Sequence, residues 1–159
     1  MIFIVLGTQK FSLNRLLKEM DSLIEEGKIQ EKVFAQIGNS TYTPKNYEYV
    51  DFLSKDEFEK KMLETDIVIA HGGVGTVISA VNKRKPVLVY PRLSKYNEHV
   101  DNHQLQIAES FQEVNLVLVC HEDEDLLTKI KECRKQKFDT YESKQSMVVA
   151  TVNEFLDNL

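Results

Sequence analysis

The stretch that decides the fold is IVIAHGGVGTVISAV, residues 67–81. Its first four residues form an unbroken apolar run, which is typical of a strand buried on both faces. A glycine cluster follows at once, and apolar residues then recur at helical spacing from Val74 to Val81. A buried strand that passes through a tight glycine turn into a helix is the repeating unit of α/β proteins with a parallel sheet.

The same alternation continues in both directions along the chain. Apolar runs predict strands at residues 2–6, 33–37, 47–52, 67–70, 87–90 and 116–119. Helical spacing predicts helices at residues 13–24, 55–63, 74–81, 97–111, 124–133 and 143–156. Ser12 and Ser54 are the expected caps of the first two helices. We therefore expect one α/β domain over residues 1–159, with a Rossmann-like parallel sheet and helices on both faces.

Composition excludes several classes of protein. The chain has 159 residues, a net charge of −5 and no basic tract, so nucleic-acid binding is not expected. Its two cysteines, Cys120 and Cys133, form no disulfide framework and favour a reducing, cytoplasmic setting. The start of the chain lacks a basic leader, and no apolar run approaches the ~20 residues that span a bilayer. Any contact with a membrane is expected to be peripheral or through a partner.

The glycine loop between residues 71 and 76 carries the strongest chemical signal. Ligands of open parallel sheets bind beyond the carboxyl ends of the strands, where this loop is expected to lie. Glycines allow the backbone to approach a ligand closely, and free amides at the start of a helix attract an anion. A diphosphate fits this pattern, with the Thr76 hydroxyl as a further donor. The alternative is a tight turn without a ligand. This alternative is the weaker interpretation, because three glycines occur together with His71 and Thr76.

Two common nucleotide motifs are absent. The dinucleotide-binding fingerprint would place a third glycine at position 78, where this chain has Ile78. No segment matches the P-loop pattern of a glycine-rich turn followed by lysine and serine or threonine. The glycine loop is therefore expected to hold a diphosphate in another way.

A second polar segment, YNEHVDNHQ at residues 96–104, precedes apolar helical residues. Close to a helix start, its side chains could present donors and acceptors to sugar hydroxyls. The alternative is a solvated first turn, which acidic residues favour through the helix dipole. His99 and His103 stand four residues apart, as in some metal sites, but no third ligand is obvious nearby. We therefore expect no metal ion here.

Five segments taken in order carry a resemblance to a known family. They are GTQKF at 7–11, QIGNS at 36–40, HGGVGT at 71–76, Pro91 with Arg92, and EHVDNHQ at 98–104. The chain resembles the C-terminal domain of glycosyltransferase family 28 over nearly its whole length. Within that family it is similar to the small exopolysaccharide and capsule β-1,4-galactosyltransferase subunits of bacteria. It is also similar to the eukaryotic catalytic subunit of the dolichol-linked N-acetylglucosaminyltransferase.

The resemblance implies one half of a GT-B enzyme split across two chains. This chain would bind a UDP-sugar, with galactose as the expected hexose, and would need no cofactor. A membrane-associated partner at the inner face of the membrane would bind a lipid-linked saccharide acceptor for exopolysaccharide or capsule synthesis. Transfer would be inverting and metal-independent, with His71 or a group of the partner as the general base. The residues implied to bind substrate are Gly7, Thr8, Gly38, His71, Gly72, Gly73, Val74, Gly75, Thr76, Arg92, Glu98, His99, Asp101, Asn102, His103 and Gln104.

One position departs from the family pattern. Several relatives carry a glutamate four residues after the last loop glycine, where it binds the nucleotide ribose, and this chain has Ser79. This departure favours an alternative function, that of a non-catalytic subunit which stabilises or recruits a partner glycosyltransferase. A redox or sensor domain of Rossmann type is a further alternative, but it lacks the dinucleotide fingerprint. The last helix, with Val148, Val152, Phe155 and Leu159 on one stripe, is expected to pack on the core or to reach a partner.

Overall fold

The structure of the chain, a computed structural model, describes residues 1–99 and 101–157. These residues form a six-stranded sheet in which all neighbouring strands are parallel. The strands are β1 Ile2–Val5, β2 Val33–Gln36, β3 Glu48–Val50, β4 Ile67–Ala70, β5 Val87–Val89 and β6 Leu118–Val119. The helices are α1 Asn14–Glu25, α2 Lys55–Glu64, α3 Val74–Asn82, α4 His103–Glu113, α5 Leu126–Lys135 and α6 Tyr141–Asp157.

The strand order is β3-β2-β1-β4-β5-β6, so the sheet changes direction of winding between β1 and β4. These two central strands pair in register, with Ile4 opposite Ile69. In sheets of this type the ligand crevice opens at the point where the strand order reverses. The glycine loop follows β4 and the loop from Gly7 follows β1, so both stand at that point.

Alternate strand residues pack under helices on opposite faces of the sheet. Ile2 and Ile4 of β1 belong to the core beneath α1 and α5, whereas Phe3 and Val5 belong to the core beneath α2, α3, α4 and α6. Burial of an aliphatic or aromatic side chain of this size contributes about 1.5–3 kcal/mol before entropy is counted. Continuous apolar strands are therefore favoured because both faces are covered, and the predicted Rossmann-like fold class is confirmed.

The predicted cap of α2 is confirmed, but that of α1 is wrong. The Ser54 hydroxyl accepts a hydrogen bond from the backbone amide of Glu57 at 3.2 Å. At α1 the cap position is Leu13, which has no side-chain acceptor. The backbone amide of Leu13 instead donates to the hydroxyl of Ser40, at 3.0 Å. One amide at the start of α1 is thus bonded by the loop after β2, which a local pattern cannot indicate.

The predicted start of α4 at Asn97 is also wrong. Residues Ser94–Tyr96 form a 3₁₀ turn, Asn97 adopts a left-handed conformation with φ 57°, and α4 begins at His103. Local side chains take the backbone amides that a helix would need. The carboxylate of Asp101 accepts from the amide of His103 at 2.9 Å, and Oδ1 of Asn102 accepts from the amide of Ser94 at 3.0 Å. Short polar side chains of this kind compete with helical hydrogen bonds.

The last helix, α6, packs on the core through part of its predicted stripe. Val148 is buried, and Val152 packs against the cluster beneath α3 and α4. The side chain of Phe155 and residue Leu159 lie outside the described part of the chain. Within that part, no helix is both long enough and apolar enough to cross a membrane.

Candidate functional site

The glycine loop presents unpaired backbone donors at the start of α3. Gly73 is the cap residue, and no side chain of a described residue caps the helix. The first intrahelical bond runs from the amide of Val77 to the carbonyl of Gly73, at 3.1 Å. Among residues 1–99 and 101–157, no acceptor pairs with the amides of Val74, Gly75 and Thr76. Such amides, at the positive end of the helix dipole, form an anion site.

His71 is buried between two of the site glycines. A Cβ atom at Gly7 would lie 2.5 Å from Nε2 of His71, and one at Gly73 would lie 2.5 Å from its Cε1. Glycine is thus needed at both positions to seat the imidazole ring, whether or not a ligand approaches. The sequence suggested that the glycines let a ligand approach the backbone closely. Of Gly7, Gly73 and Gly75, only Gly75 fits this role, because an added Cβ there would meet no atom within 4 Å.

Arg92 lies under this loop and is completely buried. Its Nη2 donates to the carbonyls of Leu6 and Phe11 at 2.7 and 3.0 Å, and its Nη1 lies 2.9 Å from Nδ1 of His71. Burial lowers the pKa of Arg92 to about 10, so the guanidinium is charged at neutral pH. The expectation that Arg92 binds substrate is therefore corrected, because this side chain ties the loops after β1, β4 and β5 together from beneath.

The same contact argues against His71 as a general base. A guanidinium can only donate, so Nδ1 of His71 accepts, and the neutral ring carries its proton on Nε2. Burial, followed by the charge of Arg92, lowers the pKa of His71 to about 3. A ring without a free lone pair and with this pKa cannot take a proton from an acceptor hydroxyl near neutral pH. His71 shapes the loop instead, which corrects its candidate catalytic role.

Gln104 supplies the most informative polar group of the site. Its side chain is buried and packs against Gly72, where an added Cβ would lie 3.2 Å from Cβ of Gln104. Its Oε1 accepts no hydrogen bond of ordinary geometry from any described residue, and a side-chain interaction between Gln104 and His71 offsets part of the fall in the pKa of His71. A buried acceptor without a partner costs about 1–3 kcal/mol, so a ligand hydroxyl or amide would satisfy it.

The segment before α4 is organised around Asp101. One oxygen of its carboxylate lies 3.2 Å from Nδ1 of His99, and the other lies 3.2 Å from Nδ1 of His103. The His99 ring packs against Phe11 in a tilted arrangement, with ring centroids 4.7 Å apart. The site residues predicted after β1 and β5 therefore meet in space. Within the described residues, no group of three or more histidine, cysteine, aspartate or glutamate side chains is placed to hold a metal ion.

Glu98 is buried and already paired, so its predicted contact with substrate is corrected. Its two carboxylate oxygens accept from Nε and Nη2 of Arg15 at 3.1 and 3.0 Å. One of these oxygens also accepts from the amide of Leu93, at 3.0 Å. The pair anchors the segment between β5 and α4 to α1. Arg15 was missed by the sequence analysis, because a single arginine on an amphipathic helix carries no local signal of a partner 83 residues away.

Two further predicted residues differ in exposure. Gly38 is buried, and an added Cβ there would lie 2.6 Å from the carbonyl oxygen of Gly7. It supports the turn after β1 from below and is not exposed to a ligand. Thr8 is exposed at the rim of the crevice. The residues that remain open to a ligand are Thr8, Val74, Gly75, Thr76, His103 and Gln104, with Gly7, Gly72, Gly73, His99, Asp101 and Asn102 around them.

A family model described as the glycosyltransferase family 28 C-terminal domain matches residues 1–159. The chain belongs to glycosyltransferase family 28. The unpaired amides of the loop before α3 and the buried Gln104 thus lie in the C-terminal domain of a GT-B glycosyltransferase family, as the sequence predicted.

Curated relatives of this family 28 domain carry the name UDP-N-acetylglucosamine transferase subunit ALG13. The human protein is 28% identical over 127 residues, which cover 75% of this chain and 11% of the relative. The Candida glabrata protein is 30% identical over 94 residues, covering 59% of this chain and 43% of the relative. The Saccharomyces cerevisiae protein is 38% identical over 56 residues, which cover 35% of this chain and 26% of the relative. The chain thus spans less than half the length of each of these relatives.

Solved structures share the fold of this family 28 domain. An NMR solution structure of ALG13 superposes with a TM-score of 0.56 at 18% identity and covers 96% of both chains. The crystal structure of the glycotransferase of kitacinnamycin gives a TM-score of 0.56 at 13% identity, covering 99% of this chain and 40% of the other. At these identities the likeness shows a common fold.

Proposed function

We propose that this family 28 domain is the donor-binding subunit of an inverting, metal-independent glycosyltransferase. The observation that carries the proposal is that, among the described residues, neither the amides at the start of α3 nor Oε1 of the buried Gln104 has a hydrogen-bond partner. The amides suit a diphosphate, and the glutamine oxygen suits a hydroxyl or amide of the attached sugar. A nucleoside diphosphate sugar supplies both kinds of group, because its diphosphate and its sugar are joined through one oxygen.

The donor that we propose is UDP-N-acetylglucosamine. The sequence resemblance favours galactose, but the names of these curated relatives specify N-acetylglucosamine, and none of them mentions galactose or an exopolysaccharide. The acetamido group of N-acetylglucosamine also has an N–H donor, which suits an unpartnered carbonyl oxygen such as Oε1 of Gln104.

In the proposed reaction an acceptor hydroxyl attacks the anomeric carbon of the sugar while the bond to the diphosphate oxygen breaks. The electron pair of that bond leaves with UDP, and the hydroxyl proton passes to a general base. Amides of Val74, Gly75 and Thr76 would stabilise the negative charge that grows on the leaving diphosphate, and no cofactor takes part. Because His71 does not fit the role of base, we propose that a partner chain supplies it.

The partner that we propose is membrane-associated and binds a lipid-linked saccharide acceptor. The relatives are named as subunits, and this domain matches only part of their length. A family 28 C-terminal domain forms one wall of a two-domain cleft, so a second domain must form the other. We propose that the chain works in the cytoplasm, at the inner face of the membrane, where such a partner would hold it.

The test is isothermal titration with UDP, UDP-N-acetylglucosamine and UDP-galactose in buffer that contains EDTA. Gly75→Asp is the decisive variant, because an added side chain there meets open space and leaves the fold intact. Its carboxylate would repel the diphosphate and should weaken UDP binding at least about tenfold. Gly75→Asn, which adds a side chain of the same size without the charge, should weaken UDP binding less than Gly75→Asp does. Equal UDP binding by all three proteins would overturn the proposed diphosphate site.

A second candidate function rests on Ser79. Its hydroxyl accepts from Nζ of Lys83 at 3.2 Å. The family resemblance implies a ribose-binding glutamate at this position. A chain without that glutamate could stabilise its partner without binding donor. The same titration decides between the two functions, since absence of UDP binding at millimolar concentration would favour the non-catalytic subunit.

A further inference from the structure

A cavity of about 310 Å³ lies beyond the carboxyl ends of β5 and β6, between the starts of α1 and α4. Its volume falls at the lower end of the ~300–1,000 Å³ range of small-molecule sites. Part of its wall is apolar and part is charged. The apolar part comprises Pro91, Leu93, Leu105 and Cys120, and the polar part comprises Arg15, Lys95, Asn102, His121, Glu122 and Asp123.

The cavity adjoins the glycine-loop site but is separate from it. The start of α4 forms a wall of both. Gln104 packs against Gly72, whereas Leu105 lines the cavity. Successive side chains on a helix point about 100° apart, so Gln104 and Leu105 face different sides of α4. A molecule in the cavity would therefore lie beside a donor held at the glycine loop without displacing it.

Every cation on the cavity wall is already neutralised by a carboxylate. Nη2 of Arg15 lies 3.0 Å from Glu98, and Nζ of Lys95 contacts Glu122. The His121 ring faces carboxylates through both of its nitrogens. By contrast, the carboxylate of Asp123 forms no hydrogen bond or ion pair with residues 1–99 or 101–157, and it is exposed. A phosphate or another anion would find no free cation here and one free negative charge.

The rim of the cavity carries an exposed aromatic ring. Tyr96 is 46% exposed, and its hydroxyl donates to Glu122 at 2.8 Å. Its ring stacks on the guanidinium of Arg15, with Cζ 4.8 Å from the ring centroid. The ring is therefore held in place at the entrance without being buried. An ordered aromatic face, an apolar floor and one free carboxylate acceptor together suit a neutral ligand that has both C–H faces and hydroxyl donors.

We propose that this cavity is a subsite for a neutral saccharide. Sugar hydroxyls would donate to Asp123, while the C–H face of the ring would pack on Leu105 and Leu93. This inference rests on the proposed function: the occupant is a sugar of the acceptor, and the start of α4 places it beside the donor. The lipid-linked diphosphate of such an acceptor would lie outside the cavity, because the cavity wall offers it no free positive charge.

The test is a titration of the ¹⁵N-labelled chain with N,N′-diacetylchitobiose, followed by amide chemical shifts. We expect saturable shifts at residues 93–96, 102–105 and 120–123. Leu105→Phe should fill the cavity and abolish them, whereas Leu63→Phe, the same change at an exposed helix position, should leave them intact. Asp123→Ala should weaken binding at least about threefold, and Glu113→Ala, at an exposed position on α4, should not.

The outcomes separate this inference from the proposed function. A parallel titration with UDP reports on residues 72–76. Chitobiose shifts without UDP shifts would keep the saccharide subsite and remove the donor function. UDP shifts without chitobiose shifts, or chitobiose shifts confined to residues 72–76 and 104, would overturn the subsite.

Discussion

His71 and His121 both stand at the carboxyl edge of the sheet, yet their surroundings are opposite. His71 directly follows β4 and is buried, with Nδ1 accepting from the Arg92 guanidinium at 2.9 Å. His121 follows β6 and is partly exposed, with Nδ1 2.6 Å from Glu124 and Nε2 3.1 Å from Glu109. Burial lowers the pKa of His71 to about 3. Burial alone would lower the pKa of His121 too, but hydrogen bonds to Glu124 and Glu109 raise it above its ordinary value.

This difference separates two kinds of ligand chemistry at one edge of the sheet. Around His71, a neutral ring and a buried arginine brace the backbone from below and leave the amides at the start of α3 unpaired. Around His121, cations and carboxylates pair with each other, so the described residues that line the adjoining cavity carry no unpaired positive charge. The first region suits an anion and the second suits a neutral ligand.

The largest effect is expected from Arg92→Met. The change removes the charged donor of two buried carbonyls, those of Leu6 and Phe11, and should cost at least about 3 kcal/mol of unfolding free energy. Arg134→Met is the control, since its pair with Glu31 lies at the surface and should cost less than about 1 kcal/mol. Urea denaturation measures both. Equal losses would show that Arg92 does not brace the glycine loop.

Gly73→Ala and Gly75→Ala should change stability in opposite directions. The added methyl group at position 73 would lie 2.5 Å from the His71 ring, so we expect a loss of about 1–3 kcal/mol. At position 75 it meets open space within a helix, where alanine should gain about 0.5–1 kcal/mol over glycine. Thermal denaturation of the two variants is the measurement. A loss of the same size at both positions would contradict the seating of His71.

The two histidines should give opposite pH dependence. In the unfolded chain a histidine has a pKa of about 6.5, so on acidification the unfolded state takes up a proton before folded His71 does. The stability from neutral His71 is fully present above pH ~6.5 and is lost as the pH falls toward the pKa of about 3 in the folded state. Between pH 6 and pH 5 it should fall by about 1 kcal/mol in the wild type relative to His71→Asn.

Stability from His121 has the opposite sign. It is present below pH ~6.5 and is lost as the pH rises through the raised pKa of the folded state. Solvent screens this partly exposed ring, so NMR titration of the ring is the better measurement. Its pKa should fall in Glu124→Gln. If His71 titrated near pH 6.5 in the same spectra, the contrast between the two regions would be lost.

The smallest effect is expected from Ser79→Glu. A carboxylate at this position could accept from a ribose hydroxyl, and UDP affinity should rise about threefold in isothermal titration. Ser79→Ala is the control and should change affinity less than twofold, since Lys83 already occupies the serine hydroxyl. A weaker affinity in Ser79→Glu would place the ribose elsewhere.

Local sequence was enough to predict the strands, the parallel sheet and the loops at its carboxyl edge. Apolar runs such as Ile67–Ala70 can be buried only between two layers of helices, and glycine turns mark where the chain leaves the sheet. The order of the loop motifs was also enough to predict the family. These properties depend on residues close together in the chain, where periodicity and turn chemistry act directly.

Tertiary structure alone decided what several site residues do. Arg92, Glu98 and His71 looked like ligand groups because polar residues on such loops often bind substrate. The structure buries all three, and two of them find their partners at Leu6 and Arg15, more than 80 residues away in the chain. A buried polar group must be paired, and no local pattern shows which distant group will pair with it.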